Sequence, residues 1–234
     1  MGQAFNAISN MSVLLSNVLS AALVTFAGLF PIVNPVENAP FFLALTAGLS
    51  TTERRVLARK IGINGFILLL GSMALGPWLL EFFGIQLPVM RVAGGLVVTA
   101  LGWKLLTQGG WSDHGAAGVA SPQSSTSGGF YPLTMPLTVG PGSMSVAVTI
   151  GSRKPDDQYH FPEFASHAIG ALIGLVAIGI SIYVAYRFAE RIARVLGATG
   201  IDVLVRLSAF ILMCIGIEIV WTGFTALIAT LPHT

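Results

Sequence analysis

The chain has 234 residues, of which 54% are apolar or aromatic and only 9% charged, against roughly 25% charged in an ordinary soluble domain. So few charges cannot coat a globule of this size, which excludes a soluble enzyme, a disordered tail and a nucleic-acid binder and leaves a chain lying mostly in lipid. The net charge of +2 implies no polyanionic partner, and the single cysteine, Cys214, supports neither a disulfide framework nor a cysteine metal site.

A membrane helix needs about 20 mostly apolar residues. The first predicted span covers residues 14–33. The stretch before it lacks the basic start of a signal peptide and reads as part of a mature helix. The span runs into PIVNPVENAP, from Pro31 to Pro40, with three prolines in ten positions. Proline lacks the backbone N–H and clashes with the carbonyl four residues back, so the helix is expected to break here. The second span, residues 61–80, contains no charge, and the third, 87–106, carries Arg91 about one turn in. Residues 108–129 are rich in Gly and Ser and read as a flexible cytoplasmic linker. The fourth span, 131–151, contains three prolines and two glycines between Pro132 and Gly142, with Pro141 flanked by Gly140 and Gly142. It too is expected to break near mid-membrane. The fifth span covers 164–186, and the sixth, 205–227, carries Arg206 near its start and Glu218 near its middle.

The expected fold is therefore an all-α membrane protein of six transmembrane helices. Lys and Arg collect on the cytoplasmic side of short loops. Arg54, Arg55, Arg59, Lys60, Lys104, Arg187, Arg191 and Arg194 all fall on one side of this six-span plan, and only Arg153 and Lys154 fall in loops on the other. Both termini are then expected to be periplasmic and the linker cytoplasmic.

The two sides of the linker resemble each other. FPIVNP at 30–35 parallels MPLTVGP at 135–141, and VMRVA at 89–93 parallels LVRLS at 204–208. Residues 1–107 and 130–234 thus read as two three-helix repeats. An odd number of spans per repeat forces opposite orientations, the inverted-repeat plan of many secondary transporters.

A broken helix bares amide N–H groups at one half-helix start, which favour an anion, and carbonyls at the other end, which favour a cation. A small zwitterionic solute matches both. The expected solute site is Asn34, Pro35, Glu37 and Asn38 from the first break, with Thr138, Gly140, Pro141, Gly142 and Ser143 from the second. The polar side chains at the breaks, Thr134 included, have a second reading, as caps for orphaned backbone groups. An ionisable group within a span costs roughly 2.5–3.5 kcal/mol on insertion scales and needs a reason. Glu37 and Glu218 are candidates for coupling transport to H+ or Na+. Glu218 also reads as a neutral acid bonded to a neighbouring helix. Arg91 and Arg206 sit near helix ends on opposite faces, as gating or ion-pairing groups or as side chains snorkelling to headgroups.

His114, His160, His167 and His233 lie in loops or at span edges and make no i, i+4 pair, so no metal or other cofactor is expected. The nucleophile, phosphate-binding and metalloprotease motifs are absent, and no catalytic residue is assigned.

The signature from Phe30 to Thr46, then TERR at 52–55, RVAGG at 91–95 and the stretch from Pro132 to Gly142 occur in an order that resembles the MarC family of bacterial inner-membrane proteins. The resemblance covers nearly the whole chain apart from the linker. It extends to small neutral amino-acid transporters grouped with the family and, more distantly, to the lysine exporter superfamily. It implies six membrane helices, an inner-membrane location and transport of neutral amino acids such as alanine or glycine. One departure is Glu37, where the family commonly carries Gly after Asn-Pro-x. A carboxylate there would change the substrate or the coupling ion.

The expected function is alternating-access transport of a small neutral solute by a non-enzymatic protein. Its partners would be the solute, the lipid bilayer, H+ or Na+ and a second copy in a homo-oligomer. An intramembrane enzyme acting on a lipid-linked substrate and a non-transporting accessory protein are the alternatives.

Overall fold

The computed structural model of the chain describes residues 2–46, 48–107, 130–152 and 161–229. The expected linker, His114, His160, His233, Arg153 and Lys154 lie outside them. The described residues form helices and no strands. In chain order they are α1 (Gly2–Val33), α2 (Pro35–Leu45), α3 (Thr51–Phe82), α4 (Leu87–Thr107), a π-helix (Phe130–Thr138), α5 (Pro141–Gly151), α6 (Phe161–Arg187) and α7 (Ala189–Ala229).

Five stretches of helix among the described residues are long and apolar enough to cross a membrane: Met11–Leu43, Thr51–Phe82, Leu87–Thr107, Pro162–Arg187 and Thr199–Ala229. The expected fourth span takes another form. It is a nine-residue π-helix and an eleven-residue α-helix that meet at Gly140, and neither is long enough to cross alone. Together they advance along α3. A Cβ on Gly65 would lie 3.2 Å from Val139, and one on Gly76 would meet Val148.

The prolines act more selectively than their density predicts. α1 continues through Pro31 and α2 through Pro40. The helix breaks only at Asn34, whose φ of 37° is left-handed, a conformation that Asn tolerates better than most side chains. Pro35 then opens α2, where its missing N–H would have had no partner and its fixed φ suits the helix. Pro141 repeats this device after Gly140. The preceding turns widen into a π-helix, with the Val139 amide reaching back five residues to the Thr134 carbonyl at 2.8 Å.

α3 starts at a capping box. The Glu53 amide donates to the Ser50 hydroxyl at 3.3 Å, and the Ser50 amide donates to the Glu53 carboxylate at 2.8 Å. Arg187, Arg191 and Arg194, expected in a loop, lie at the end of α6 and on the first leg of α7. The backbone runs almost unbroken from α6 into α7 through Phe188 and turns at Gly197, where φ is 63°. Arg54 at the start of α3 pairs with Glu190 at 2.5 Å. Two basic segments distant in sequence thus share one end of the bundle, called the basic end below.

α4 and α7 pack antiparallel, backbone against backbone. A Cβ on Gly102 would stand 2.6 Å from the Met213 amide nitrogen and 2.9 Å from the Ala209 carbonyl oxygen, and one on Gly216 would meet the Thr99 nitrogen at 2.5 Å. Small residues permit this approach where lipid offers no hydrophobic drive between helices. Arg91 lies beside Gly223, so the antiparallel pair carries Arg91 and Arg206 at opposite ends. The central core gathers Leu29 and Val33 of α1, Leu69 of α3, Val139, and Leu175, Ile178 and Ile182 of α6.

Candidate functional site at the paired helix breaks

The two breaks meet. A Cβ on Gly142 would lie 3.8 Å from Ile32 and 2.5 Å from Val98, which brings the start of α5 against the end of α1, with α4 behind. Gly142 is therefore required by packing.

At the first break Asn34 caps α2, its side-chain oxygen accepting from the Glu37 amide at 3.4 Å. Its side-chain nitrogen donates to the Glu37 carboxylate. Asn38 donates to the Val33 carbonyl, one of those orphaned by the break, at 2.9 Å. At the second break the Ser143 hydroxyl donates to the Gly140 carbonyl at 2.9 Å, and the Thr138 hydroxyl donates to the Leu133 carbonyl at 2.7 Å. These groups serve the broken backbone first. Their side chains are engaged within their own segments, so they offer little spare capacity to a solute.

Glu37 differs from them. Only 5% of it is exposed, and its neighbours are Asn34 and the Ser208 hydroxyl of α7. Among the described residues it has no cationic partner; the ion pair found there is Arg54–Glu190. A buried carboxylate without a counter-charge is expensive, so this carboxyl either holds a proton or takes a cation beside it.

On the basic side of the breaks the way is closed. Tyr186, almost wholly buried, stacks on Phe42 with ring centroids 4.6 Å apart. Its hydroxyl lies 2.7 Å from that of Thr138. Beyond it, the Arg54–Glu190 pair joins α3 to α7, and the Arg54 Nε donates to the Thr46 carbonyl at 2.9 Å. On the other side a cavity of about 660 Å³ opens between α1, α3, α5 and α6, lined by Ser20, Thr25, Met73, Trp78, Ile150 and His167 among others. Met73 and Trp78 lie about 29 and about 36 Å further along α3 than Arg54, at 1.5 Å per residue. Leu29, Leu69 and Ala147, each fully buried, separate this cavity from the breaks along three different elements.

Of the expected solute-site residues, Asn34, Glu37, Asn38, Thr138, Gly142 and Ser143 gather around the breaks. Pro35 is buried there, while Pro141 is exposed. The expected coupling residues scatter. Glu218 is exposed on the outer face of α7 and makes no hydrogen bond or ion pair with any described residue. Arg206 is exposed near the basic end, and Arg91 holds a buried Nε without a partner among the described residues. Sequence reasoning missed Phe42, Tyr186, the Arg54–Glu190 pair and the contact of Ser208 with Glu37. Each joins elements far apart in the chain, and no local signal marks them.

A family model described as MarC family integral membrane protein matches residues 19–228. The chain is similar to the UPF0056 membrane protein YhcE of Escherichia coli, at 30% identity over 85% of this chain and 89% of that protein. It is also similar to the UPF0056 inner membrane protein MarC of Salmonella typhimurium, at 26% identity over 86% of this chain and 93% of that protein. No solved structure matches it.

Proposed function

The chain belongs to the MarC family of integral membrane proteins, and from that premise we propose that it is a secondary transporter of small zwitterionic solutes, such as alanine or glycine, working by alternating access in the inner membrane. The observation that carries this reading is the meeting of two broken helices, one of them holding a buried carboxyl, closed on both sides, with a cavity leading in from one end. Broken backbone inside a membrane is tolerated where it is buried in protein or lines a cavity, and discontinuous helices form the solute sites of many transporters.

The six-span inverted repeat belongs to the same proposal. Its support is the matching Asn34-Pro35 and Gly140-Pro141 breaks and the antiparallel α4–α7 pair. The basic end faces the cytoplasm and both termini face outward. The cavity is then the outward vestibule, and residues 130–151 make the fourth span in two pieces. Half-helix starts at Pro35 and Pro141 present amides to the solute carboxylate, while Glu37 exchanges H+ or Na+.

The test is flux of labelled alanine and glycine into proteoliposomes, with and without a pH or Na+ gradient. Uptake above empty liposomes that rises with one gradient is the expected result. No flux across a broad panel of zwitterionic solutes would overturn the reading, and turnover of a lipid-linked substrate would replace it with an enzyme.

The inner closure can be tested separately. Glu190→Gln removes an ion pair that is only half-covered on the Glu side, worth about 0–1 kcal/mol in such surroundings. Opening toward the basic end should rise by up to about fivefold. The readout is the rate at which a membrane-impermeant thiol reagent, applied from the cytoplasmic side, labels Ser143→Cys in a Cys214→Ser background.

A further inference from the structure

Glu218 is a carboxyl at membrane depth that the proposed site does not use. It lies opposite the middle of α4, because α7 packs on α4 through Gly216 and Val220, which flank it. Glu218 itself is exposed, on the side of α7 away from that contact. Around it α7 presents Leu207, Ile211, Cys214, Glu218, Trp221 and Thr225, all exposed. Their spacing alternates four and three, the seam along which two helices pack at a shallow left-handed angle. The polar members Cys214, Glu218 and Thr225 fall on this one seam, and Thr222 flanks it.

We infer that this seam of α7 is a homodimer interface, in which Glu218 meets Glu218 of a second copy across a two-fold axis normal to the membrane. A carboxyl facing lipid needs a polar partner at its own depth. Lipid tails offer none, and headgroups lie half a bilayer away, beyond the reach of a glutamate side chain. A two-fold axis normal to the membrane supplies one by symmetry, since it keeps every residue level with its own copy. The two side chains meet across the axis, each a polar partner for the other, and Thr222 and Thr225 stand one and two turns along.

Cys214, exposed one turn from Glu218 and the only cysteine in the chain, is a built-in reporter. Two copies packed along the seam bring the Cys214 Cα atoms within disulfide reach, under about 7 Å. Copper-phenanthroline oxidation of membranes should give a disulfide-linked dimer that Cys214→Ser abolishes. Ile173→Cys in that serine background, on the exposed face of α6, should give none. In purified protein, Glu218→Leu should lower the dimer association constant in lipid about tenfold, the loss expected for one interhelical hydrogen-bonded contact. It is read by single-molecule photobleaching at graded protein-to-lipid ratios. Glu218→Gln, which keeps a hydrogen-bonding side chain, should retain most of it. Both variants alter an outer surface, and circular dichroism checks that they fold.

A wild-type protein that stays monomeric at high density overturns the inference. So does a crosslink through position 173 instead of 214, a crosslinked band that contains a different polypeptide, or an association constant unmoved by Glu218→Leu. None of these readouts depends on transport, so the dimer and the proposed transport cycle fail or stand separately.

Discussion

Glu37→Gln should abolish gradient-driven accumulation in proteoliposomes while leaving solute exchange in place. The substitution keeps the length and shape of the side chain, and a glutamine oxygen still accepts from the Asn34 amide and lies beside Ser208. What it removes is the ability to gain and lose a charge. Glu37 is the buried carboxyl at the first break, with no cation beside it among the described residues. A transport cycle that carries H+ or Na+ through this point must use it. The expected loss is about a hundredfold or more in accumulation, the scale of an interaction worth about 2.7 kcal/mol or more. Counterflow of labelled against unlabelled solute should fall less than about threefold. Accumulation that survives Glu37→Gln would remove Glu37 from coupling. Equal loss of accumulation and counterflow would make it a solute ligand instead.

The second large effect is structural. Gly102→Ala should destabilise the protein by about 2–3 kcal/mol and sharply lower the yield of folded, monodisperse protein, because its Cβ would stand 2.6–2.9 Å from backbone atoms of Met213 and Ala209. Backbone cannot rotate aside as a side-chain tip can, so α4 and α7 must separate along their whole contact. Gly216, which faces the Thr99 nitrogen at 2.5 Å, should behave alike. Gly71 in α3 is the internal control, since nothing lies within 4 Å of its Cβ position. Gly71→Ala should be neutral or stabilise α3 by roughly 0.5–1 kcal/mol through helix propensity. Thermal unfolding in detergent, followed by size exclusion, reads both. Equal midpoints for the two variants would mean that α4 and α7 are not held at this separation.

The sites of the helix breaks were legible because backbone chemistry is local. Asn34 before Pro35 and Gly140 before Pro141 each supply a residue that suits a non-helical turn and a proline that can only start the next helix. The other prolines misled. Pro31 and Pro40 sit within continuous helix, a position that membrane helices tolerate better than soluble ones. The polar residues at the breaks were legible as a group, but their division of labour was not. Asn38, Thr138 and Ser143 are committed to nearby carbonyls, which leaves Glu37 as the group with chemistry to spare.

By itself the sequence determined the membrane setting, the long apolar helices, the two breaks and the family. These depend on composition, on runs of about 20 apolar residues and on motifs read along the chain. Tertiary structure alone decided which carboxyl is interior. Along the chain Glu37 and Glu218 are both candidates for coupling, yet one is buried at the first break and the other is exposed on α7. A helix that is apolar all round has no hydrophobic stripe to distinguish its inner face from its outer one, so only the packing of α7 against α4 sets which way Glu218 points. The same holds for the stacking of Phe42 on Tyr186 and the pairing of Arg54 with Glu190, contacts between residues more than a hundred positions apart.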